Sequence, residues 1–151
     1  MFANVMLGLG VMVVCLFVQA LLVAVAIVFY ARRRDSIDAL SFVSTVLLIG
    51  AVMLVLVVGN FLQVIIWGAL FVHLGEFESY RVAAYHSAVN FATLGYGDIV
   101  MSEQHRILGP MQAINGVLMI GVSTAVMMST LQDALNRTVE GRKRNQAESG
   151  H

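Results

Sequence analysis

Charge is scarce in this sequence. Only 12% of its 151 residues are Asp, Glu, Lys or Arg, against about 25% in a soluble globular domain. So few charges cannot cover a water-facing surface, which excludes an ordinary soluble domain. The formal net charge is +0, so no nucleic-acid partner is expected. The lone cysteine, Cys15, lies inside an apolar run and excludes an intrachain disulfide framework. The sequence also lacks a metal-ligand cluster, a nucleophile arrangement and a phosphate loop, so neither an enzyme nor an organic cofactor is expected.

What is present is hydrophobic: 59% of the residues, with a mean hydropathy of +0.84. Three long apolar runs carry it. The first extends from about Val5 to Tyr30, interrupted only by Gln19, and exceeds the roughly 20 residues that cross a bilayer. Its N-terminal flank has no Lys or Arg and its basic cluster follows it, the reverse of a secretory signal. A retained membrane helix is expected. The second run has no ionisable side chain between Asp38 and His73, equivalent to about 50 Å of helix. Either this helix is long and tilted, or its start, up to about Thr45, lies in the interface. A split at Gly59-Asn60 would leave the second piece too short. The third run covers Ile107 to Leu131.

Between the second and third runs, Ser79 to Ala92 reads as a helix too short to span. Such a segment enters and turns back where its irregular backbone is buried or lines water. Basic residues favour the cytoplasmic face. Three crossings with one re-entrant loop put Arg32, Arg33 and Arg34 on the same face as Arg142, Lys143 and Arg144. That places the N-terminus outside and the C-terminus in the cytoplasm. The expected layout is an N-terminal membrane helix and basic turn over 1–35, then a module over 36–131, then a short cytoplasmic tail over 132–151. Within the module fall an outer helix (36–74), a pore helix (79–92), a connecting segment (93–98) and an inner helix (107–131).

The re-entrant helix is followed by Thr93-Leu94-Gly95-Tyr96-Gly97-Asp98. From about Phe61 to Leu131, this order resembles the pore module of the potassium channels. The resemblance implies an all-α membrane protein, four chains around a central pore, and K+ as the conducted ion. It implies K+ coordination by the backbone carbonyls of Thr93, Leu94, Gly95 and Tyr96, which replace the ion's water shell, with the Thr93 hydroxyl at the innermost site. Gly95 and Gly97 would take left-handed backbone without a Cβ penalty. Tyr96 would point away from the ion and wedge against the pore helix. Further on, Leu108-Gly109-Pro110, Asn115-Gly116 and Ser123-Thr124-Ala125 resemble a group of small bacterial ion channels.

The departures from that family also carry expectations. Val89 stands where many potassium channels place a Glu that pairs with the filter Asp. Asp98 is then expected to find Tyr85 or His86, which stand where relatives have tryptophans. The inner helix has Ser123-Thr124-Ala125 in place of the Pro-Val-Pro of voltage-gated relatives. Gly116 and Gly121 are the candidate hinges, Gly116 being favoured because Gly-Val-Leu-Met-Ile resembles the stretch after that family's hinge. Close helix packing is the alternative for both.

Arg32, Arg33 and Arg34 are consecutive, which suits topological anchors and not the spaced charges of a voltage sensor. His86 is a candidate pH sensor, with a hydrogen-bonded packing role preferred. Asn60, Gln63 and Trp67 share one helix face and are expected to bond between helices. Glu76, Glu78 and Asp98 are expected to ring the outer mouth. The leading expectation is a homotetrameric potassium channel embedded in membrane lipid. A less selective cation channel and a non-conducting membrane subunit are the alternatives. The first helix is left to pack on the outer helix, exchange between subunits or bind an unidentified partner.

Overall fold

The computed structural model describes residues 2–34 and 42–149, with backbone alone at 34, 42, 140, 142–145 and 147–149. The chain folds into α1 (Phe2–Arg34), α2 (Phe42–His73), α3 (Tyr80–Phe91) and α4 (Leu108–Ser149). Three of these contain stretches long and apolar enough to cross a membrane: Phe2–Arg33, Val43–His73 and Leu108–Val139. The fourth, α3, has 12 residues and is too short for that.

The second apolar run is one unbroken helix of 32 residues. Positions 36–41 of the expected outer helix lie outside the described residues, as does the question of where the chain meets the interface. Arg32 and Arg33 do not follow the first helix but occupy its last turn, exposed, with the Arg33 guanidinium 5.9 Å from the centre of the Phe29 ring. The inner helix likewise runs past its expected end at 131 as far as Ser149. Hydropathy falls there, but the chain keeps good helix formers, and Arg137 pairs with Asp133 one turn away at 3.0 Å. The loss of apolarity marks where a membrane would end, not where the helix does.

α1 packs against both α2 and α4 of its own chain. One apolar cluster joins Cys15 to Trp67, Phe71, Ala83, Met101 and Leu108. A second joins Ala26 and Tyr30 to Leu48, Val52 and Leu56. A polar layer built from Gln19, Gln63, Asn115 and Ser123 also ties these helices together, and all four are buried. Asn115 donates to Gln63 at 3.0 Å, Gln63 to Gln19 at 2.9 Å, and Gln19 to Ser123 at 3.0 Å. The Ser123 hydroxyl ends the relay on the Met119 carbonyl at 2.9 Å. Buried amides without partners are costly, so this relay fixes which faces of α1, α2 and α4 meet. Gly59 makes room for it: a Cβ there would come within 2.9 Å of Gln19 Oε1.

Candidate functional site

α3 begins and ends for local reasons. Ser79 is its N-cap, with an extended backbone and a hydroxyl accepting from Arg81 N at 3.3 Å. At the other end, Thr93 N donates to Asn90 O at 2.9 Å, and Leu94 N donates to Val89 O at 2.9 Å. These two bonds, with Thr93 at φ 59°, form a Schellman cap in which threonine occupies the place glycine usually takes. Val89 therefore holds the start of the filter-like segment through its carbonyl, not its side chain. Gly95 follows at φ 55° and Gly97 at φ 73°. Every second residue from 93 to 97 is thus left-handed, a conformation that costs a residue with a Cβ about 1–2 kcal/mol. Gly95 and Gly97 avoid that cost and Thr93 bears it.

The segment 93–98 is exposed along its length in the single chain. Leu94 is 55% and Tyr96 66% exposed, so the expected wedge of Tyr96 against a pore helix is not made within one chain. The far end of the segment is held. Tyr85 Oη donates to Asp98 Oδ2 at 2.8 Å, making Tyr85, of the two residues expected there, the one that bonds Asp98.

His86 faces Ile99 instead. Its Nδ1 lies 3.0 Å from the Ile99 carbonyl and its Nε2 lies 2.8 Å from Asn90 Nδ2. A carbonyl can only accept, so Nδ1 carries a proton toward Ile99. Phe71 and Phe77 flank that ring, with centroids at 5.6 and 5.1 Å.

Two ties behind this segment escaped the sequence reading. Gln112 of α4 donates to the Ser87 carbonyl at 3.0 Å and to the Ser87 hydroxyl. That hydroxyl in turn donates to Val64 O at 2.7 Å. The other tie corrects an expectation. Glu76 does not join Glu78 and Asp98 at an open mouth: its side chain is only 6% exposed. It accepts from Ser102 N at 2.7 Å, from Ser102 Oγ at 2.6 Å and from His105 Nδ1. Burial pushes the Glu76 carboxyl up, but the bonds from Ser102 and His105 outweigh it and hold the group below its ordinary value. No local pattern links positions 76, 102 and 105, so only the fold could reveal this clamp.

Of the two candidate hinges, Gly116 is pressed against α3. A Cβ there would fall 2.0 Å from Phe91 O, so close packing alone requires glycine. Gly121 has nothing within 4 Å of the same position. Trp67 shares the buried face of Gln63, but its Nε1 has no hydrogen-bond partner among the described residues. Asn60 reaches the relay only as a second acceptor for Ser123, at 3.5 Å.

Residues 60–133, just under half of the chain, match the model of a family described as ion channel. No match to the chain is found among curated proteins or among solved structures. The matched segment takes in the C-terminal part of α2, all of α3, the capped left-handed segment and α4 as far as Asp133. With three helices of membrane-crossing length and apolarity, the chain has the character of a membrane protein, and its residues 60–133 are similar to an ion channel family.

Proposed function

We propose that the chain is one subunit of a homotetrameric, potassium-selective channel in the cell membrane, with Thr93 to Asp98 as its filter. The observation that carries this reading is the left-handed backbone at Thr93, Gly95 and Gly97, set at the C-terminus of a short helix. Alternating handedness along five residues turns successive carbonyls toward one side, which a file of dehydrated cations needs. The C-terminal end of α3 adds the negative end of a helix dipole, which favours a cation beneath the filter.

In this reading the carbonyls of Thr93, Leu94, Gly95 and Tyr96 and the Thr93 hydroxyl coordinate K+. Gly97 lets the chain leave the filter, and the Tyr85–Asp98 bond holds its outer end. One strand cannot surround an ion, so four chains supply four strands. The exposed Tyr96 ring then meets the pore helix of a neighbouring chain. The outer end of the filter opens outside the cell, Met1 is outside, and the α4 helices approach one another on the cytoplasmic side.

Cation uptake into liposomes containing the purified protein, compared with Gly95→Ala, tests the assignment. The parent protein is expected to load the vesicles. The alanine variant is expected to assemble and insert but lose uptake, because each of four chains takes on about 1–2 kcal/mol of left-handed strain at an ion site. Equal uptake by the two proteins removes Gly95 from the conduction path.

A further inference from the structure

The two halves of α4 are held differently, and Gly121 lies between them: α1 packs on both, against Leu108 and Met111 above and through hydrogen bonds to Ser123 and Asp133 below. Above it, Gln112 bonds Ser87 of α3 at 3.0 Å and Gly116 packs on the Phe91 main chain. Below it, Ser123 and Asp133 accept from α1, and the Ser123 hydroxyl also reaches Asn60 of α2 at 3.5 Å. Gln19 donates to Ser123 at 3.0 Å, and Tyr30 Oη donates to Asp133 Oδ2 at 3.0 Å. Val126 and Met127 pack against the cluster that Ala26 and Tyr30 form with Leu48, Val52 and Leu56 of α2. α1 is itself fastened to α2, which donates to Gln19 through Gln63 at 2.9 Å, and its outer end reaches α4's approach loop through Asn4 and the Gln104 carbonyl.

We infer that α1 is a built-in strap on the gate: it holds the cytoplasmic half of α4 in place through Gln19 and Tyr30, and the pore opens when that hold is released. The inference rests on the channel reading above. A bend at Gly121 swings Ser123 and Asp133 relative to Gln112 and Gly116. The upper half cannot follow, because α3 carries the filter-like segment and must stay still. The strain of the bend therefore falls on the contacts below Gly121, the two α1 bonds among them. Gly121 has open space where a Cβ would stand, so the bend meets no packed neighbour in the chain.

Both strap bonds can be removed with little change in shape. Gln19→Leu keeps the volume but also removes the acceptor of the Gln63 amide, and Tyr30→Phe deletes one hydroxyl. An interhelical hydrogen bond in a membrane is worth about a threefold change in equilibrium per chain, or about eightyfold when four chains move together. Single-channel recording in planar bilayers is the test. Each variant is expected to spend a larger fraction of time open at unchanged unit conductance, and amide exchange over 124–139 is expected to quicken.

A conducting parent whose two variants open no more often than it does overturns the strap, while leaving the channel reading standing. A parent that carries no current defeats the channel reading instead. In that case, unchanged exchange over 124–139 in both variants overturns the hold of α1 on α4 by itself.

Discussion

Positions 93 and 95 impose the same left-handed backbone on two different residues. At 95 glycine meets it freely; at 93 a β-branched threonine accepts strain of about 1–2 kcal/mol to close the α3 cap. A glycine would close that cap at lower cost, so the threonine points to a use for its hydroxyl, and strain of this kind gathers at functional positions. Gly116 has a different reason for being glycine. Gly116→Ala sets a methyl carbon 2.0 Å from Phe91 O, and α4 must back away from α3. We expect about 1–3 kcal/mol of destabilisation, read as a lower melting temperature in detergent. Gly121→Ala meets no such neighbour and is expected to melt close to the parent. Equal melting of the two variants would remove the case for close packing at 116.

At the scale of elements, the extents of the helices were largely legible in the sequence. Apolar length located α1, α2 and the start of α4, and the shorter stretch from Ser79 to Ala92 already stood out between them. The end of α4 was not legible, because hydropathy reports the membrane and not the helix. Gln19 was visible as the one break in the first run, yet its partners lie on α2 and α4, far along the chain, where no periodicity reaches.

The clamp of Glu76 on Ser102 and His105 was hidden for the same reason, and it makes a pH prediction. The Glu76 carboxyl is held below its ordinary value of 4.5. The stabilisation it gives is therefore full above that value and is lost as pH falls through the lowered one. Glu76→Gln is expected to lower the melting temperature at pH 7, at a cost of about 1–3 kcal/mol. The gap between variant and parent should close under acid. A constant gap across that range would mean that the carboxylate charge does not anchor Ser102 and His105.

For the whole molecule, orientation is expected to follow charge, and in the proposed channel conduction is expected to follow from fourfold assembly. Both basic clusters are expected on the cytoplasmic face, which puts an even number of crossings between them and the N-terminus outside. Single cysteines at Ala3 and Ser149, in a Cys15→Ser background, read this with a membrane-impermeant thiol reagent on intact cells. Position 3 should label and position 149 should not; the same result at both positions breaks the three-crossing arrangement.

Selectivity itself is the central claim, and the reversal potential under bi-ionic conditions reads it directly. Purified protein in a planar bilayer with K+ on one side and Na+ on the other should reverse far from zero. The direction expected is that of potassium permeation, at about 59 mV for each tenfold preference. A current that reverses near zero would show a cation pore without potassium selectivity and would contradict the filter assigned to Thr93 through Asp98.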